Sequence, residues 1–330
     1  MRRLLVTVRN SSVLKRLSVV CFLLLGSWVF AGEVGVDPSQ ALSKMQQAMK
    51  LLNYQGTVAF LRNGKLNTLK YYHAASDGWE QERLVSLNSP LHEIVRDTDK
   101  VSCFLSTTSK VIVDHRPAAR SFLIDLPEEF EGLGKFYQFK FSGEEQVAML
   151  PSYVLDILPK DRFRYARRIW IEQQQYLPLK VEVYDHSNNV IEQVVFTDIQ
   201  LKAALPVVDA DAAAAGREIQ HIHKRSPDSF DKARFDLARL PEGFRKQFFI
   251  QMAMRDAAQP VEHLLLTDGF SSVSVYLENK NKNVELGPHS SGSVNAFSRV
   301  LGDYLVTVMG EVPAATVQLI AEGVTLRATP

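Results

Sequence analysis

At Gly56 the hydrophobic pattern changes period, from the 3.6 residues of a helix to the 2 of a strand, and it keeps the second period as far as Lys202. The stretch "TVAFLRNGKLNTLKYYHA" places Asn63-Gly64 between two apolar runs, the strongest short-range signal for a tight hairpin. Further strand-like runs follow in "WEQERLVSL", "LHEIVRDTDKVSCFLS", "KVIVDH", "KFYQFKFSG", "QVAML" and "YVLDIL". In "IWIEQQQYLPLKVEVYDHSNNVIEQVVF" turns fall at Gln173 to Gln175 and at Ser187 to Asn189. Short strands with close turns and no intervening helix imply an antiparallel meander and exclude a parallel α/β sheet.

Before that sheet, "DPSQALSKMQQAMKLLNYQG" reads as one amphipathic helix. Asp37 is placed to cap it and Pro38 to occupy its first position, while Leu42, Met45, Met49 and Leu52 fall on one stripe. After the sheet, residues 203–229 break both periods with small residues, scattered charge and prolines, the composition of a linker. Residues 230–330 read as a smaller α+β domain. It has a Pro-Glu-Gly turn, a hairpin with Asp268-Gly269 at its tip, another around Gly302-Asp303, and a closing helix from Pro313 to Gly323.

The first residues are not part of this fold. Arg2, Arg3, Arg9, Lys15 and Arg16 precede "LSVVCFLLLGSWVFA", an apolar run too short to span a bilayer comfortably, with Val29 and Ala31 before the expected cut. Residues 1–31 therefore read as a secretory signal peptide, with an uncleaved anchor as the alternative; Cys21 lacks the small residues that precede a lipidated cysteine. Export implies an oxidising compartment outside the cytoplasm. The expected domains are then the signal peptide at 1–31, an N-terminal domain at 32–202, the linker and the C-terminal domain. Cleavage removes five basic and no acidic side chains, so the formal charge moves from +1 to −4 and no nucleic-acid partner is implied. It also leaves Cys103 as the single cysteine, unable to form an internal disulfide and set in "KVSCFL" like a buried strand thiol; a redox or intermolecular role is the alternative.

No reactive constellation emerges. His221 and His223 form an H-x-H without a third ligand nearby in sequence, which argues against a metal site. "HSSGS" at 289–293 lacks the strand-turn-helix setting of a nucleophilic serine, and the acid pairs Glu128-Glu129, Glu144-Glu145 and Asp209/Asp211 fall in polar turns or linker. Nucleotide-binding glycine motifs are missing, so neither cofactor nor catalysis is expected. What remains is an aromatic-rich sheet with a Met-bearing helix able to lie in its concavity. Met45, Trp79, Phe104 and Trp170 are candidate linings of an apolar cavity, and ordinary core packing is the competing reading of each.

Several separated segments, in this order, resemble the MucB/RseB family: "NYQGTVAF", "LKYYHA", "ERLVSLNSPLHEIVRD", "RYARRIWIEQQQYLPLKVEVYD", the linker, "LPEGF", "LTDGFSSVSVYLE" and "VMGEVPAATVQLIAEGV". The resemblance covers nearly the whole mature chain. It implies an N-terminal domain similar to the lipoprotein carriers LolA and LppX, a half-open antiparallel β-barrel wrapped around helix, beside a smaller C-terminal α+β domain. It also implies a non-enzymatic periplasmic negative regulator of the envelope-stress sigma factor. Such a protein binds the periplasmic domain of a membrane-spanning anti-sigma factor of the RseA/MucA type, shields it from regulated proteolysis, and responds to lipopolysaccharide or mislocalised lipoprotein. Phe244, Phe270 and Tyr276 are the candidate partner contacts, since aromatics dominate interface hot spots, with core packing as the alternative. The stretch from Thr107 to Leu133 departs most from the family pattern. A periplasmic lipid or lipoprotein carrier is the runner-up function, and homo-oligomer formation stays open.

Overall fold

The computed structural model describes residues 37–88, 92–98, 100–105, 110–115, 121–221, 227–252, 259–280 and 285–327; the expected signal peptide and His223 lie outside them. Helix α1 (Pro38–Leu51) starts where the sequence places it, with the Asp37 carboxylate accepting from the amides of Ser39 (2.9 Å) and Gln40 (3.2 Å). Its buried stripe is Ala41, Leu42, Met45, Ala48 and Met49.

The following strands are β1 (Asn53–Arg62), β2 (Lys65–Ser76), β3 (Trp79–Ser86), β4 (His92–Arg96), β5 (Val101–Leu105), β6 (Lys110–Asp114), β7 (Tyr137–Val147), β8 (Leu150–Pro159), β9 (Ala166–Glu172), β10 (Pro178–Tyr184) and β11 (Val190–Lys202). They form two antiparallel meanders, β1 to β6 and β7 to β11, joined where β1 pairs with β11. Asn63 and Gly64 both have positive φ (54° and 69°), as the β1–β2 hairpin turn requires. At the seam a Cβ on Gly56 would lie 2.2 Å from the Asp198 carbonyl oxygen, so no larger residue fits there. The sheet curls until β7 approaches β11, four strands away, and α1 packs inside the curl. Leu42 and Met45 meet Tyr54, Tyr71, Leu155, Ile169 and Phe196 in the main core.

Part of the expected linker is built into this sheet. Helix α2 (Ala210–Ala214) is capped by Asp209, and β12 (Glu218–His221) runs parallel to β6 as the sheet's twelfth strand. Ala210 and Ala214 pack on Val95, Phe104, Val111 and Val113. The alanines that read as linker by composition are also the best helix formers, and their small side chains let the helix lie close on the strands.

The second sheet contains β14 (Arg245–Met252), β15 (Val261–Thr267), β16 (Ser272–Asn279), β17 (Gly287–Ser291), β18 (Val294–Leu301) and β19 (Tyr304–Gly310). It repeats the plan of the first: two short antiparallel meanders joined at a non-sequential pair, here β16 with β19. Helix α3 (Ala314–Gly323) covers one face, burying Val317 and Ile320 against Leu264, Val275 and Val308. A small ribbon of β13 (Phe235–Leu237) with β20 (Val324–Leu326) closes this unit.

Candidate binding site at the junction of the two sheets

The turn between β15 and β16 leaves its own sheet and enters the first one. Asp268 shapes it from one carboxylate oxygen, Oδ1, which accepts from the amides of Phe270 (3.1 Å) and Ser271 (2.8 Å). Gly269 takes φ of +105° against Pro127, a conformation and a space that exclude a side chain. Phe270, 1 % exposed, thereby belongs to the core of the first sheet rather than its own. Its ring lies 5.2 Å from that of Tyr137, 6.1 Å from Phe139 and 6.4 Å from Phe130, centre to centre.

The other oxygen of Asp268, Oδ2, faces the first sheet. It accepts from Arg164 Nε and from the Tyr137 hydroxyl, each at 2.6 Å, and both partners of the ion pair are fully buried. The Arg164 guanidinium also donates to the Glu242 carbonyl (2.6 Å), pairs with Asp161, and lies over the rings of Phe136, Tyr137 and Phe244. Burial and the adjacent Asp268 carboxylate push the Tyr137 phenol well above its ordinary range, which keeps it a donor. Nearby, Arg167 reaches the Ser271 hydroxyl at 3.3 Å.

Two cavities flank this contact. One, of about 440 Å³, is bordered by Met49 and Lys50 of α1, Glu80 and Glu82 of β3, Arg96 of β4, and Arg245 and Phe248 of β14. The other, of about 330 Å³, has an apolar wall of Phe60, Val181, Val183, Val194 and Phe270 with Arg62, Arg167 and Glu311 around it. Ser121 and Ile124 border both, so the segment they belong to separates the two spaces. That segment is tied down by Glu82, 1 % exposed, which accepts from the Ser121 hydroxyl (2.5 Å), the Phe122 amide (3.0 Å), the Tyr71 hydroxyl (2.6 Å) and Arg96 Nε (2.8 Å). Such a saturated carboxylate is a structural anchor, with its acceptor capacity used by donors already in place.

The residues chosen from sequence are distributed as follows. Met45 and Trp170 lie in the main core; Trp170 donates to Glu145 (2.8 Å) and carries Lys180 over its ring. Phe104 is buried in the separate cluster under α2, and Trp79 is half-buried at the start of β3. None of these four borders either cavity. Phe244 and Phe270 both stand at the junction, whereas Tyr276 lies away from it, stacked on His263 at 4.3 Å on β15 and β16. Cys103 is half-buried on β5. His221 meets the ring of His115, 3.0 Å between nitrogens, and among the described residues no group of three or more His, Cys, Asp or Glu side chains is arranged to hold a metal ion.

Arg164, Asp268 and Glu82 were not singled out by sequence. "DRFRYARR" looks like a solvated basic run and Asp268-Gly269 like an exposed turn. The available signal was the Arg164 position between Phe163 and Tyr165, which sets a charged side chain between two large apolar ones just before β9.

Comparison with known proteins matches both halves of the chain. The family model described as MucB/RseB N-terminal domain matches residues 37–221, and the one described as MucB/RseB C-terminal domain matches residues 229–325. The sigma factor AlgU regulatory protein MucB of Pseudomonas aeruginosa is 28% identical over 311 residues, covering 91% of this chain and 94% of its own length. The sigma-E factor regulatory protein RseB of Escherichia coli K12 is 23% identical over 322 residues, covering 94% of this chain and 98% of its own. Among solved structures, the Pseudomonas aeruginosa MucA/MucB complex aligns with a TM-score of 0.69 at 26% identity, over 89% of this chain and 100% of that one.

Proposed function

Because this chain belongs to the MucB/RseB family, we propose that it is a periplasmic regulator that binds the periplasmic segment of a membrane anti-sigma factor, shields that segment from proteolysis, and loosens its hold when a lipidic stress signal arrives. The observation that carries this reading is the match, over both domains, to a relative solved as a complex with MucA. Its relatives are named as regulatory proteins, not enzymes. The signal-peptide reading of residues 1–31 supplies the route to the periplasm. Helix α2 and strand β12 pack on the first sheet, and the two family matches end at residue 221 and begin at residue 229.

Lipid responsiveness is supported by the apolar wall of the 330 Å³ cavity at the junction, where occupancy would act directly on the contact between the sheets. A ligand there shifts the arrangement only if it binds the loosened form more tightly. The test is binding of the purified protein to the periplasmic segment of an anti-sigma factor of the RseA/MucA type, repeated with lipopolysaccharide. Binding that lipopolysaccharide weakens is expected. A protein that takes up acyl chains but ignores the segment is a carrier, and the regulatory reading falls.

A further inference from the structure

The hairpin tip Asp268–Ser271 sits in the first sheet as a bound ligand would. It presents a carboxylate to Arg164 and Tyr137, and, two residues on, a phenyl ring to Phe130, Tyr137 and Phe139. Every one of those receiving groups lies before residue 202, on or beside β7 and β9, so the host belongs to one sheet and the occupant to the other. We propose that Arg164, Arg167 and Tyr137, walled by Phe130 and Phe139, form a binding site for a small anionic amphiphile, a carboxylate joined to an apolar chain, which the hairpin fills in cis. The proposal deepens the lipid-responsive part of the function given above and rests on it.

Three observations define the ligand. First, Arg164 is fully buried and Asp268 is its fully buried counter-ion; once Asp268 withdraws only the partly exposed Asp161 remains, and a replacement anion restores a buried ion pair that a neutral or cationic ligand cannot. Second, Arg167 touches the occupant only through long contacts to the Ser271 hydroxyl, 3.3 and 3.4 Å, and retains donor capacity for a second oxygen of an incoming head group. Third, the 330 Å³ cavity is bordered by both Phe270 and Arg167. An apolar chain entering there reaches the Phe270 ring beside the cation that would take its head group.

Hairpin and ligand cannot share the site, so ligand affinity is scaled by the fraction of molecules with the hairpin withdrawn, and bound ligand in turn holds it out. Withdrawal breaks the Arg164–Asp268 pair, which stands beside the other contacts of Arg164 with the C-terminal side, the Glu242 carbonyl and the Phe244 ring. Ligand binding is thereby converted into a change at the junction of the sheets.

The experiment needs no anti-sigma factor, so it can fail while the regulatory reading stands. Hydrogen exchange of the Gly269, Phe270 and Ser271 amides is followed in the unaltered protein with sodium dodecanoate below its micellar concentration, and with dodecyltrimethylammonium as the chain-matched cation. Dodecanoate should speed exchange at these amides and the cation should not. In parallel, Phe270→Ala, checked for fold by circular dichroism, should bind dodecanoate about tenfold more tightly, because its hairpin is more often withdrawn. Unchanged or slower exchange at saturating dodecanoate, or an equal response to the cation, overturns the proposal, and the exchange result decides alone if the variant does not fold.

Discussion

Among the contacts between the two sheets, a deep one and one at the rim are built from similar residue types with very different consequences. Deep in the junction, Arg164 and Asp268 are both shut away from solvent. At the rim, Arg62 bridges Glu192 and Glu311, Ser293 donates to Glu192, and Asn63 at the tip of the first hairpin donates to Ser291. Arg62 and Glu311 keep 31% and 44% of their side-chain surface in water. An ion pair in water can exchange its partner for solvent at little cost; a buried one cannot. The deep contact therefore fixes the arrangement of the sheets, while the rim tolerates motion about it.

The largest effect should come from taking one member of the deep pair away. Arg164→Ala leaves Asp268 buried without its counter-ion, with Oδ2 held by the Tyr137 phenol alone and Oδ1 by the two turn amides, and should lower stability by about 3–5 kcal/mol. Urea unfolding measures this, and a loss no larger than that of a rim substitution would erase the distinction between the two contacts. Replacing both partners by apolar residues of similar size, Arg164→Met with Asp268→Leu, should cost much less than Arg164→Ala if the loss reflects a stranded charge.

Phe270→Ala comes next, at about 3 kcal/mol, since it empties an aromatic site already ringed by Phe130, Tyr137 and Phe139. Phe270 and Asp268 lie on one turn, so this substitution and Arg164→Ala should not be additive, and a double-mutant cycle in urea should give a coupling of about 1 kcal/mol or more. Strict additivity would mean that the ring and the carboxylate hold the hairpin independently.

The contrast between local and distant interactions also explains what could be read in the chain beforehand. Asp37 and Pro38 start a helix, and Asn63-Gly64 turns a hairpin, through contacts within a few residues; both were legible for that reason. Strand β12 was not, because its pairing with β6 in parallel depends on residues more than a hundred positions away, while its own sequence and the alanines before it look like linker. Arg164 and Asp268 are separated by 104 positions, and each alone resembles a surface feature. The apolar residues favoured as cavity lining were legible as buried, as with Met45 and Phe104, but burial does not distinguish a filled core from the wall of a cavity. The spaces at the junction are bounded instead by residues such as Ser121 and Arg167, which polarity alone assigns to the surface.

The smallest effect belongs to the rim and tests the comparison from its weak side. Glu311→Ala removes one of the two carboxylates on Arg62 but leaves Glu192 2.7 Å from the guanidinium, so the cation is never stranded. The expected loss is under about 1 kcal/mol at low ionic strength. Half-exposed charges are screened by salt and buried ones much less, so that loss should shrink toward zero in about 1 M sodium chloride while the cost of Arg164→Ala persists. Paired urea titrations of the two variants at low and high salt measure both terms at once. If the Glu311 effect is large and indifferent to salt, the rim is a second rigid clasp, and the hairpin could not leave the first sheet without breaking both.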